Sequence, residues 1–404
     1  MRPVVFVAPF PLETTMRFAR AAAALPGVRL LGVVRELPRG RDRALYADVE
    51  RVADPLDAGQ LEAAVRRLAA RHGRPHRLVG VLEPLQVQLA EVRERLGIPG
   101  TDVRTATLFR DKARMKEALR AAGLPCARHR LLTSVAEGEA FAAEVGLPLV
   151  LKPPAGMGCK ATWRVDNREQ LRSALEAARP SPDHPVLAEE FLRGTEHSLE
   201  TITVRGRPRF WSVTRYAPTP LEVMEHPWIQ WCIQAPRDLS GPQWTAARDL
   251  GIAAVRALGL GDGFTHMEWF RRPDGTLAIG EIAARPPGAN IVRVTGLAYD
   301  ADLYRAWARA VIDGAYDPVG ERRHSVGCAF LRGPGRGRVA AIRGLEQAQQ
   351  RVRGLVEEVR LPRLGTPKSD SYEGDGYVIV RHRDDDVVER ALRAIIETVR
   401  IEYA

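Results

Sequence analysis

The chain has 404 residues, 45% hydrophobic and 27% charged, enough for three or four subdomains around proper cores. A formal net charge of +10 would suit a nucleic-acid or membrane partner, but the basic residues are scattered through apparent helices and no zinc spacing or basic–aromatic motif accompanies them, so neither partner is expected. Four dispersed cysteines (Cys126, Cys159, Cys232, Cys328) show no CxxC spacing or disulfide framework, and there is neither an N-terminal run able to span a bilayer nor a signal-peptide pattern, which together point to a cytoplasmic protein.

Residues 1–110 alternate strand and helix, with strands over 4–8, 30–34 and 78–82 and helices over 15–25 and 59–71. That order predicts a parallel α/β domain, in which ligand contacts gather at strand carboxyl ends. Here those ends are residues 9–14 and the pair Glu83-Pro84, either of which could equally be an ordinary loop.

The next segment concentrates a rare residue. All but five of the 60 basic residues are arginine, and four of the five lysines, Lys112, Lys116, Lys152 and Lys160, fall within 49 positions; Lys368 is the fifth. A compact ammonium on a flexible stem is suited to reaching phosphate oxygens. Asp111-Lys112 opens a helix with Met115, Leu119 and Ala122 at helical spacing, ended by Gly123 and Pro125. On it Lys116 reads as a solvated position. A strand over 147–152 then delivers Lys152 to a loop bearing Gly156 and Gly158, and glycines let backbone N–H groups converge on phosphate. No GxxxxGK[ST] spacing is present, so this is not a Walker loop.

An apolar strand from 186 ends in Glu189-Glu190-Phe191-Leu192, turns at Gly194 and restarts through Glu196, with His197 structural. From 205 to 245 no steady period holds. The stretch 214–231 reads as a long ordered loop whose His226 and Trp228 are candidate substrate contacts, unless its tryptophans simply anchor it to the core. A helix over 243–258 leads to a hairpin of strands 265–270 and 276–282 around the turn Arg271-Arg272-Pro273-Asp274-Gly275. Counting outward from the turn pairs Arg272 with Leu277 and sets Glu268 opposite Glu281. Opposed like charges are destabilising, and nothing local supplies a lysine between them. A divalent cation resolves the conflict; a solvent-facing hairpin end is the plain alternative. On the metal reading, neutralising Glu281 leaves the metal-free protein as stable or slightly more so, by roughly 0.2–1 kcal/mol. Four residues on stands Arg285, a planar cation suited to an oxyanion or a phosphoryl group in transfer, before Pro286-Pro287-Gly288-Ala289-Asn290. Beyond about 320 come short β segments, a glycine-rich turn at 333–337 and a closing helix over 386–403.

Taken in order over 111–290, these motifs resemble the ATP-grasp superfamily, and the Glu-x-Ala-Ala-Arg-x-x-Gly stretch resembles its L-amino-acid ligases. The resemblance implies an ATP-grasp fold of mixed α/β and α+β domains: a Rossmann-like N-terminal domain over 1–110, two ATP-grasp subdomains over 111–190 and 191–320, and a small α+β domain over 321–404. It implies that Lys112, Lys152, Gly156 and Gly158 contact the nucleotide phosphates, Glu189, Glu190, Phe191 and Leu192 the adenine, and Glu196 the ribose. Glu268 and Glu281 become ligands of Mg²⁺, with Mn²⁺ able to substitute, and Arg285 and Lys152 catalytic. Ala289 and Asn290 join His226 and Trp228 as substrate candidates. Ala283 stands where many members have an asparagine ligand, which leaves the metal shell less complete unless Asn290 compensates. The implied activity joins a carboxylate to an amine, both small molecules and amino-acid-like, through an acyl phosphate, with release of ADP and phosphate; a homodimer is compatible with it. A carboxylase or purine-pathway ligase is one alternative, and an ATP-binding regulator without turnover is another.

Overall fold

The computed structural model describes residues 1–155 and 162–404, so Gly156, Gly158 and Lys160 lie outside the described residues. The N-terminal sheet is parallel throughout, in the order Asp48–Arg51, Val28–Val34, Arg2–Val7, Arg77–Val79. Val4 to Val7 are wholly buried because helices cover both faces: Glu13–Ala23 supplies Met16, Phe18 and Ala22 on one side, while Ala58–His72 and Gln86–Leu96 supply Leu61, Leu68 and Leu89 on the other. The edge strand Asp48–Arg51 has no apolar alternation; its acids are instead bound by Arg67, Arg71 and His72. Both the central strand and Arg77–Val79 end near residues 8–9 and 80–83, which brings Glu83 toward the rest of the molecule.

A four-stranded antiparallel sheet follows, ordered His129–Leu132, Val186–Glu190, Leu149–Lys152, Trp163–Val165. Helices Val135–Val145 and Arg168–Ala178 pack Phe141, Leu171 and Leu175 against it. The largest sheet has eight antiparallel strands: Leu277–Ala283, Gly263–Arg271, Thr195–Val204, Arg207–Ala217, Trp231–Ala235, Ser325–Leu331, Gly376–His382 and Val356–Arg360. It therefore runs without a break from the hairpin acids into the segment beyond 320. Helix Asp385–Thr398 covers its far end and stops at Val399; residues Arg400–Tyr403 form a strand on Val339–Arg343, where the sequence predicted one helix to 403.

Most of the expected loop over 205–245 is regular structure: strand Arg207–Ala217, helix Pro220–Glu225 and strand Trp231–Ala235. Trp231–Ala235 is buried on both faces, so it shows no period of two to read.

Candidate active site

The hairpin sets Glu268 directly opposite Glu281, by a route that counting from the turn does not give. Arg271, not Arg272, pairs with Leu277, and the one-residue slip is absorbed at a bulge between Glu268 and Trp269 on one strand and Ile279 and Glu281 on the other. The extra residue is Gly280. A Cβ there would lie 3.1 Å from the Phe270 ring and 3.2 Å from the Glu268 carbonyl, so the bulge leaves little room for a side chain.

Lysines do reach Glu281, from distant segments. Lys112 Nζ lies 3.3 Å from Glu281 Oε2 and Lys152 Nζ 3.9 Å from the same oxygen. Lys152 and Lys116 close on Glu189 at 2.9 and 3.4 Å. Helix Lys112–Ala121 aims two of these cations because Asp111 caps it, accepting from the Ala113 and Arg114 N–H groups. Lys116 is the plainest correction to the sequence reading. It is 0% exposed, and besides meeting Glu189 it donates to the Gly280 carbonyl at the bulge. Burial works against both carboxylates, yet the lysines prevail: Glu189 is held below the usual carboxylate range, and Glu281 falls to about 2. Glu281 is thus a stabilised anion in the ligand-free protein. With Lys112 and Lys152 beside it, neutralising Glu281 is expected to cost stability rather than relieve the hairpin.

The floor beside this wall is different. Glu196, Ser198 and Glu200 on one strand face His266, Glu268 and Phe270 on the next, in register. Burial and the neighbouring Glu268 and Glu281 push the Glu196 carboxyl well up, against the pull of Lys152. His266 Nδ1 sits 3.0 Å from Glu200 and its Nε2 3.8 Å from Glu268. Burial opposes its charge, but these carboxylates carry its pKa up to about 9. Among the described residues no group of three or more Asp, Glu, His or Cys side chains is arranged to hold an ion unaided. Two opposed carboxylates on an acidic floor nevertheless fit Mg²⁺ shared with a nucleotide, since that ion takes few protein oxygens and completes its shell with phosphate and water.

Arg285, 19% exposed in its side chain, is held by Glu83 through Nε and Nη2, both at 3.0 Å. Arg110 approaches the other oxygen of Glu83 at 3.4 Å. The strand-end rule therefore pointed to the right residue at Glu83, whereas residues 9–14 stay off this cleft. Around the cleft, of about 430 Å³, stand Lys112, Lys152, Glu189, Glu190, Phe191, Leu192, Glu196, Glu268, Glu281 and Arg285. Glu190 also ties the rim together by accepting from Arg128 and Arg272, and Phe191 lies under the Arg164 guanidinium at 4.5 Å.

The substrate candidates divide. Ala289 lines the cleft, its backbone in the left-handed region at φ 51° and its N–H donated to Glu373. Asn290 is buried and does not reach the cleft lining, so it does not compensate for Ala283. Trp228 is 53% exposed on the outer side, and His226 packs against it at 5.2 Å; neither lines the cleft. The preceding helix Pro220–Glu225 turns inward instead. His197 is structural as expected, stacked on Trp269 at 4.6 Å. Sequence reasoning also missed Tyr216, Trp231, His266 and Tyr372 as cleft residues; only the strand register, or for Tyr372 the chain's return from beyond 320, brings them in.

The fold is an ATP-grasp fold, and comparison with known proteins agrees. The ATP-grasp domain model matches residues 117–294, beginning just after Asp111 and Lys112. An uncharacterised protein, y4rH, of Sinorhizobium fredii is 27% identical over 376 residues, covering 88% of this chain and 76% of its own. The L-arginine-specific L-amino acid ligase of Bacillus subtilis is 27% identical over 222 residues, 53% of this chain and 52% of that protein, so the match spans about half its length. Among solved structures, the L-amino acid ligase of Bacillus licheniformis superposes with a TM-score of 0.79 at 20% identity, covering 100% of this chain and 99% of that one. Residues 117–294 of the chain thus match the ATP-grasp domain, and the whole chain shares its fold with an ATP-grasp-like L-amino acid ligase structure. No helix among the described residues is long and apolar enough to cross a membrane.

Proposed function

We propose that this protein is an ATP-dependent carboxylate–amine ligase that forms an amide or peptide bond between amino-acid-like substrates. The observation that carries the reading is the convergence of Lys112, Lys152, Glu268, Glu281 and Arg285 on one cleft from four separate segments. Glu189–Leu192 would hold the adenine of ATP, Glu196 the ribose, and Lys112 and Lys152 the phosphates. Glu268 and Glu281 would hold Mg²⁺, which would supply positive charge to offset that of the phosphates.

A carboxylate oxygen of the first substrate attacks the γ-phosphorus, the bond to the β-phosphate oxygen breaks, and ADP leaves. Arg285, oriented by Glu83, steadies the negative charge on the transferring group and then on the acyl phosphate. The amine of the second substrate attacks the acyl carbon. The C–N bond forms as the C–O bond to phosphate breaks, and the amine's proton passes to solvent. No side-chain nucleophile is needed, because positioning and charge neutralisation account for phosphoryl transfer.

Phosphate release from ATP and Mg²⁺ in the presence of amino acids, singly and in pairs, tests the proposal. Amide product from at least one pair is expected. Bicarbonate-dependent ATP cleavage that needs no amine would instead establish the carboxylase reading, and nucleotide binding without turnover under every pair the regulator reading.

A further inference from the structure

The cleft is strongly polarised. One half carries the lysines and acids described above. The other is walled by Tyr216, Leu221, Met224, Trp231, Ile291 and Tyr372, and Arg285 also lines the cleft. Resting on the ligase reading, we infer that this second half receives an uncharged, apolar side chain of the carboxylate-donating amino acid, of about leucine to phenylalanine size.

Three observations support that inference. Helix Pro220–Glu225 is fastened by Val223, which is 0% exposed, while Leu221 and Met224, three apart and so on one face, are only half-buried and line the cleft. These are apolar groups turned toward open space on an element whose interior face is already occupied, and covering them releases about 25 cal/mol per Å². The opposite wall is rigid: Trp231 stacks on Phe330 at 4.5 Å and donates its indole N–H to the Tyr372 carbonyl at 2.8 Å. Trp231 is 1% exposed, so its ring backs this wall and fixes Tyr372, which lines the cleft, without first reordering. Finally, Gly288 lets the Tyr372 hydroxyl approach closely, since a Cβ there would lie 2.7 Å from it, which keeps this aromatic side chain against the cleft. Behind the wall, Glu373 accepts from the Ala289 N–H, and burial pushes its carboxyl up.

The test uses the full chain with ATP, Mg²⁺ and a fixed small amine acceptor. Leucine, methionine, phenylalanine, arginine, lysine and aspartate are offered as donors, and the N-terminal residue of the product is read by mass spectrometry. Leucine, methionine or phenylalanine should be preferred. Met224→Asp should lower kcat/KM for them by at least about tenfold while ATP affinity measured by calorimetry holds, and Met224→Leu should restore the apolar preference. Product formed chiefly from arginine, lysine or aspartate, or an apolar profile undisturbed by Met224→Asp, overturns the inference and leaves the ligase reading standing. If no pair yields an amide while bicarbonate supports ATP cleavage, the ligase reading itself fails and this inference falls with it.

Discussion

On the wall built from Lys112–Ala121 and Leu149–Lys152, Lys112, Lys116 and Lys152 each have a carboxylate within 3.4 Å; on the floor built from Thr195–Val204 and Gly263–Arg271, His266 answers Glu200 and Glu268, while Glu196 feels the negative charge of Glu268. The same residue type behaves oppositely in the two places. Glu189 and Glu281 are held as anions by lysines, while Glu196, close to Glu268 and Glu281 and likewise desolvated, is pushed toward its protonated form. Desolvation is common to all three, so the sign of the neighbouring charge decides the outcome. The wall is complete in the free protein; the floor holds negative charge that an arriving cation can use.

The largest effect that separates these regions should come from Glu281, which on strand Leu277–Ala283 meets the charges of both. Glu281→Gln is expected to lower turnover by orders of magnitude, because phosphoryl transfer loses the cation that offsets its charge. The metal-free variant should also lose about 1–3 kcal/mol, since Lys112 and Lys152 are left facing an amide. Phosphate-release rates beside thermal melts without nucleotide check both; wild-type turnover would remove Glu281 from the metal site.

Next comes Lys116→Met, which keeps the volume but strips Glu189 of one cation and the Gly280 carbonyl of its donor. A loss of about 2–4 kcal/mol is expected. It should change the acid limb as well. The folded Glu189 binds a proton less readily than the unfolded one, so its contribution is present above the unfolded value near 4.5 and fades as pH falls below it. Melts from pH 7 down to pH 3 should show a shallower decline in the variant; parallel curves would mean that Lys116 does not hold the carboxylate.

Smaller changes follow away from the lysine wall. Glu83→Gln keeps a hydrogen bond to Arg285 but not the charge, and about a tenfold fall in kcat with little change in ATP affinity is expected. Ala289→Trp should narrow the range of carboxylate donors, and an unchanged donor profile would remove Ala289 from the pocket. Trp228→Ala should leave kinetics and stability within about 0.5 kcal/mol of wild type, as for an exposed side chain outside the cleft.

The local signals were those that the sequence displayed well. Asp111 as a cap, Gly123 as a stop, the strand into Lys152 and the turn before Glu281 all depend on neighbours within a few residues, and all were readable. The pairing of Glu268 with Glu281 was reached by counting from Arg272 opposite Leu277, where Arg271 in fact stands, and holds only because Gly280 restores the frame. Lys116 was unreadable because a buried lysine and a solvated one look alike on a helix; its burial depends on Glu189 and Gly280, 73 and 164 positions away. Trp231 and Trp228 are three residues apart and equally aromatic, yet one lies in the core and the other outside. Strand Trp231–Ala235 has apolar neighbours on both faces, which erases the alternation that would have told them apart.

The contacts of Lys112 and Lys152 with Glu281 also bear on how nucleotide enters. A triphosphate does not arrive at a vacant positive surface: it competes with a carboxylate already beside both ammonium groups. On the proposed assignment, binding is an exchange in which the lysines turn from glutamate to phosphate and the glutamate turns from lysine to cation. Either half alone strands a charge. Nucleotide and divalent ion should therefore raise one another's affinity by the same factor, as linkage requires, and ATP offered with a chelator should bind weakly even though every lysine is in place.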